Sequence, residues 1–138
     1  MKAKIISAFP GCGKSHYFRE SKDKTVLDSD SSKFDKSDFP RNYIRHIKEN
    51  IEKADVIMVS SHKEVRDALI ENGMSFTLVY PDISIKNEYV KRYIDRGSPK
   101  PFIDLLEKNW ELWIGELDSQ TGCDKIKLNE SQYLSDVL

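Results

Sequence analysis

Residues 8–15 read Ala-Phe-Pro-Gly-Cys-Gly-Lys-Ser. The pattern is G-x-x-x-x-G-K-[ST] with alanine in the place of the first glycine. Gly11 and Gly13 let the backbone turn its N–H groups inward around an anion. Lys14 brings a positive charge to the β- and γ-phosphates of a nucleotide, and the Ser15 hydroxyl can ligate Mg²⁺. A helix that opens at Lys14 points its N-terminus at the same phosphates. Ordinary residue usage gives this pattern by chance in roughly one chain of this size in a hundred. The spacing predicts a nucleotide site built from Pro10, Gly11, Cys12, Gly13, Lys14, Ser15 and His16. Cys12 is expected to fill the loop with its side chain outward, not to act as a nucleophile.

Asp28 and Asp30 stand two apart in Val-Leu-Asp-Ser-Asp-Ser-Ser. At a strand end both side chains can point to one side. Phosphoryl transfer needs a carboxylate to orient or deprotonate the acceptor hydroxyl and another to hold Mg²⁺ or its water shell. The same residues also make good turns, but the phosphate-binding pattern upstream favours the chemical reading.

These residues need a scaffold, and apolar periodicity supplies one. Residues 3–9 form a short apolar run that ends in Pro-Gly and reads as a buried strand. Residues 14–21 belong to a short helix, 24–30 to a second strand, and 31–39 to a polar loop. Asp38 can cap a helix in which Ile44, Ile47, Ile51 and Ala54 make one apolar face. Residues 55–61 read as a central strand, apolar on both faces. Ser61 and Glu64 have capping-box spacing for a helix that stops at Gly73. A strand over 75–81 precedes a helix over 83–96, closed by Gly97. The next helix, over 101–117, carries a stripe of Phe102, Leu106, Trp110, Trp113 and Leu117. A fifth strand over 124–128 and a short terminal helix complete the alternation. This succession predicts a single α/β domain with a mostly parallel sheet and helices on both faces. Ligands in such sheets sit beyond the carboxyl ends of the strands.

The stretches Phe-Pro-Gly-Cys-Gly-Lys-Ser and Val-Leu-Asp-Ser-Asp-Ser-Ser resemble those of small P-loop kinases of the nucleoside monophosphate kinase and shikimate kinase group. The compact size is similar to that of short bacteriophage kinases. The motifs cover residues 8–15 and 28–30, and the order of segments matches throughout. The resemblance implies a three-layer α/β/α P-loop NTPase fold with a five-stranded parallel sheet in the order 2-3-1-4-5. It implies ATP and Mg²⁺, with Ser15 and Asp28 holding the metal and Asp30 or Asp28 serving the acceptor. It also implies a lid over residues 91–97, whose Arg92 and Arg96 share a helix face and would stabilise charge in transfer. A plain Glu88–Arg92 ion pair accounts for the same spacing. Phe34, Arg41, Arg45, His62 and Arg66 are the remaining candidates for acceptor binding, since arginine suits a phosphate-bearing acceptor. Two departures stand out. The third strand has no aspartate at its carboxyl end, only Asp55 at its start, which argues against a motor ATPase. No guanine-specific Asn-Lys-x-Asp motif is present, which argues against a GTPase.

The chain has 138 residues, a formal net charge of −1 and 33 % charged residues. This suits one globular domain without bulk affinity for polyanions, so a nucleic-acid partner is not favoured. Two cysteines are too few for a disulfide framework; no apolar run reaches the length of a membrane span. The opening apolar stretch breaks at Pro10, too soon for a signal peptide, so a cytoplasmic protein is expected. The expected activity is ATP-dependent transfer to a small nucleotide or nucleoside-like acceptor, with a deoxynucleoside monophosphate among the candidates. The alternatives are a kinase for a polynucleotide end or modified base and a non-catalytic ATP-binding module.

Overall fold

The computed structural model describes residues 3–20, 24–28 and 37–137. Among these, β1 (Lys4–Ala8) leads to α1 (Lys14–Glu20) and β2 (Val26–Asp28). Then come α2 (Arg41–Asn50), β3 (Val56–Ser60), α3 (Lys63–Glu71) and β4 (Thr77–Pro81). A 3₁₀ turn (Ile83–Ile85) opens into α4 (Lys86–Asp95), followed by α5 (Lys100–Asp118), β5 (Asp124–Leu128) and α6 (Leu134–Val137).

The five strands form one sheet, all parallel, in the order β2-β3-β1-β4-β5. β1 is therefore central, with Ile6 beside Met58 of β3 on one flank and beside Thr77 of β4 on the other. Every residue from Ile5 to Ala8, from Val56 to Val59 and from Thr77 to Pro81 is buried. Successive strand residues face opposite sides of a sheet, so helices must cover both faces. The one buried hydroxyl in β1 is satisfied within the sheet: Ser7 Oγ donates to the Ser60 carbonyl at 2.9 Å. No helix among the described residues is long and apolar enough to cross a membrane.

Glycines end two helices where the sequence predicts. Gly73 has φ +65 and Gly97 has φ +77, the left-handed region that stops a helix without a Cβ penalty. Other local expectations are corrected. Asp38 does not cap α2; Pro40 holds the cap position, and the Asp38 carboxylate instead reaches Arg41 and Arg45 at 3.7 and 3.8 Å. The Ser61–Glu64 capping box does not form either, because α3 starts one residue later with His62 at its cap. On α5 the buried stripe is Leu106, Trp110, Ile114 and Leu117, with Trp113 only half-buried. An α-helix advances 100° per residue, so Ile114, four beyond Trp110, keeps the face that Trp113 leaves. Trp110 anchors this helix to the sheet: its ring meets Phe9 edge-on at 5.8 Å and its indole N–H donates to the Ile83 carbonyl at 2.8 Å.

Candidate functional site

A cleft of about 670 Å³ lies beyond the carboxyl ends of β1, β2 and β3. Its floor is the loop between β1 and α1, with Pro10, Gly11 and Gly13, and Lys14 and His16 follow on α1. Asp28, the last residue of β2, and Ser60, the last of β3, close one side. Arg92, Asp95 and Arg96 of α4 stand on the other, with Phe102 and Tyr133 beside them.

The loop is shaped by two glycines and by what surrounds them. Gly11 has φ +91 and Gly13 φ +94, conformations that L side chains rarely adopt. Space for a side chain is tight as well. A Cβ on Gly11 would come within 2.9 Å of the Tyr93 ring, and one on Gly13 within 3.0 Å of the Tyr133 ring.

The loop's carbonyls are held from outside it. Tyr93 Oη donates to Pro10 at 2.8 Å, Arg92 Nη1 donates to Gly11 at 2.8 Å, and the Leu134 amide donates to Cys12 at 2.9 Å. The Phe9 amide donates to Val79 of β4 at 2.9 Å, tying the start of the loop to the sheet. With three consecutive carbonyls turned away, the amides of Gly11 and Gly13 meet no acceptor among the described residues. Half-buried donors without partners are unusual, since nearly all such groups are paired in native proteins.

Cys12 corrects the expectation of an outward side chain. It is fully buried beneath the loop, with Sγ 3.5 Å from Tyr89 Oη and 3.9 Å from the Val79 carbonyl. Burial pushes its thiol up to about 11, so it stays protonated at neutral pH and offers no nucleophile. Burial likewise pushes the phenols of Tyr89 and Tyr93 well above the ordinary tyrosine range.

The other expected site residues divide. Lys14, His16, Asp28, Arg92 and Arg96 come together at the cleft. Ser15 lies in the first turn of α1. Asp30 and Phe34 lie outside the described residues. Arg41 and Arg45 project from α2 with 83 % and 61 % of their side chains exposed, paired with Asp38 and away from the cleft lining. His62 is exposed at the start of α3 and does not line the cleft. Arg66 is buried at 5 % exposure; its Nε donates to the Ser61 carbonyl at 2.8 Å and its Nη1 to Gln120 Oε1. It lines a separate hollow between α3 and α5, and burial pulls its pKa down.

Arg92 and Arg96 differ in how they are held. Arg92 is 10 % exposed and donates through Nη2 to Glu88 Oε2 at 2.6 Å and to the Gln132 carbonyl at 3.0 Å. Its guanidinium also lies 4.4 Å from the Tyr89 ring centre and 3.9 Å from that of Tyr133. Arg96 is exposed, donates to Ser98 Oγ at 2.9 Å and lies over the rings of Tyr93 and Phe102. Helix α4 is thus docked on the glycine loop and on α5.

The sequence reading missed Asp95 and Tyr133 on the cleft, gave Phe102 only a packing role, and missed Tyr89 and Tyr93 behind the loop. Only the last two leave a trace: Tyr89 and Tyr93 are four apart, in step with Glu88 and Arg92, so both pairs run along α4 side by side. No protein-family model, curated protein or solved structure matches this chain.

Proposed function

We propose that the cleft binds a nucleoside triphosphate and that the protein is an ATP-dependent phosphotransferase for a small nucleotide or nucleoside-like acceptor. The observation that carries this reading is the glycine loop itself. Its carbonyls are tied outward, its Gly11 and Gly13 amides meet no acceptor among the described residues, and Lys14 follows at once. Converging amides and a lysine bind phosphate oxygens. The volume is in the ordinary range for small-molecule sites, roughly 300–1,000 Å³. A P-loop NTPase identity accounts for the strand order and for the position of the loop after the central strand.

The donor set fits Mg²⁺ and fits few other metals. No group of three or more His, Cys, Asp or Glu among the described residues could hold a metal ion by itself. Mg²⁺ needs no such group, since it is usually held by one or two protein oxygens, substrate phosphates and water. Asp28, with the Ser15 hydroxyl as second donor, would hold it, and the ion would neutralise charge on the phosphates. Asp28 would orient the acceptor if Asp30 does not, and Arg96 is the arginine best placed to face charge that develops in transfer.

A non-catalytic ATP-binding module is the second reading, favoured by one observation. Arg92, the more buried cleft arginine, is committed to internal contacts. ATP offered with a panel of nucleotides, nucleosides, sugars and oligonucleotides, read as ADP release, tests both. Acceptor-dependent ADP release supports the kinase, and its place in the panel names the acceptor. Binding of ATP without release on any acceptor supports the module. Absence of ATP binding overturns both.

A further inference from the structure

Glu88 and Arg92 do more than pair with each other. The Ser131 amide donates to both oxygens of the Glu88 carboxylate, each at 3.0 Å. Arg92 takes the next residue, donating to the Gln132 carbonyl at 3.0 Å. The Arg92 guanidinium lies 3.9 Å from the centre of the Tyr133 ring, and Tyr133 also packs close against Gly13. The Leu134 amide completes the series on the Cys12 carbonyl at 2.9 Å. Four consecutive residues, 131–134, are therefore each fastened to α4 or to the glycine loop.

Two features of this junction are costly by themselves. Ser131 sits at φ +63, in the left-handed region that non-glycine residues seldom occupy. Arg92 Nε is buried without a hydrogen-bond partner among the described residues. Such features persist where the surroundings over-determine them, and they cluster at functional sites. The Glu88–Arg92 pair is also unlike a solvated helix pair, with side chains only 24 % and 10 % exposed and further partners on each.

We infer that Glu88 and Arg92 are positioning residues that clasp the turn at residues 131–134 onto the glycine loop and so hold that loop in its anion-binding form. The clasp stands on the contacts above; that its ligand is a nucleotide phosphate rests on the proposed function. The physical link is the Gly11 carbonyl. Glycine leaves the Gly11–Cys12 peptide free to flip, and a flip would turn a carbonyl oxygen toward the anion. The Arg92 bond to that carbonyl opposes the flip, while the Leu134 bond holds the carbonyl next in line. Because clasp and anion act on the same peptides, each must strengthen the other.

Cys12 supplies a readout that needs no activity, since its thiol lies beneath the clasped loop. In a Cys123→Ser background, reaction of Cys12 with an aromatic disulfide reagent at pH 8 reports opening of the loop. MgATP affinity and far-UV circular dichroism are measured beside it. Glu88→Gln and Arg92→Lys are expected to speed Cys12 reaction at least about tenfold without loss of helix signal. They should weaken MgATP and inorganic triphosphate alike, each by about 10–100-fold, because the clasp acts on the phosphate loop and not on a base. In the unsubstituted clasp MgATP should slow Cys12 reaction, an arm that stands even if a variant fails to fold. An unchanged Cys12 rate in both folded variants overturns the clasp. Faster Cys12 reaction with unchanged triphosphate affinity overturns the positioning role. If the unsubstituted protein binds no nucleotide or triphosphate, the proposed function fails and the positioning role with it, while the Cys12 rates still decide whether the clasp exists.

Discussion

The hydroxyl of Tyr93 donates to the carbonyl of Pro10 at 2.8 Å, across 83 residues of chain. The ring below that hydroxyl fills the space over Gly11, so one side chain both bonds and shapes the loop. Tyr93→Phe should lose the bond alone, costing about 1 kcal/mol of stability. Gly11→Ala should cost more, about 1–3 kcal/mol, because φ +91 is strained for alanine and the buried ring stands 2.9 Å from the new methyl. Urea unfolding checks both as shifts in midpoint at constant slope. Equal midpoints for Gly11→Ala and the unsubstituted protein would refute the close packing.

Lys14→Ala should weaken ATP binding by about 10²-fold or more and leave the fold intact. Lys14 lies on the cleft and outside the buried core, so its loss opens no cavity. Circular dichroism and ATP titration on the same sample test this. A folded variant with undiminished ATP affinity would remove the phosphate role from the loop.

Asp28→Asn should raise the Mg²⁺ concentration that half-saturates ATP binding by about 10–100-fold. Asp28 is exposed at the end of β2 and lines the cleft, whereas Asp38 pairs with Arg41 and Arg45 outside it. Asp38→Asn is therefore the matched control and should leave the Mg²⁺ requirement unchanged. Identical Mg²⁺ curves for both variants would reduce Asp28 to a turn residue.

Stability should fall in alkali through the buried thiol. Cys12 ionises near its ordinary value of 9.0 when unfolded but only at about 11 when folded. Its contribution is thus fully present below pH 9 and is lost as pH rises to about 11, by an amount on the order of 1–3 kcal/mol. Tyr89 and Tyr93, also pushed up by burial, act in the same direction at higher pH. Cys12→Ala should flatten the decline between pH 9 and 11. Parallel declines in chemical denaturation of the two proteins would contradict a buried, neutral thiol.

The sheet was legible because its signal is redundant. Residues 124–128 form β5 with the predicted bounds, and β3 and β4 match to within a residue or two. Many residues vote on each such segment. Single-residue expectations had no such support. Asp38 could cap a helix or pair with arginines on its next turn, and local spacing allows both. Ser61 and Glu64 had the right interval but the wrong start by one residue. Cys12 could face in or out, and only the arrival of Tyr89 and Val79 from distant segments decides it. The same holds for the site. Gly11, Gly13, Lys14 and Asp28 are adjacent in sequence to the strand ends that place them. Tyr133 and Asp95 reach the cleft only through the packing of α4 and the turn before α6, which no short pattern encodes.

β1 is the first of the described strands and the middle strand of the sheet. It therefore leaves the ribosome with neither neighbour made, and β3 and β4 reach it only after residues 56–60 and 77–81 have been translated. The loop that follows waits longer still, for Arg92 and Tyr93 and at last for Leu134. Domains are made from the N-terminal end, yet here the earliest-synthesised element of the cleft is finished last. A nascent chain arrested before residue 131 would carry all five described strands and still lack the turn that secures its glycine loop, so ligand binding would mark the synthesis of residues 131–134 and not merely the folding of the sheet.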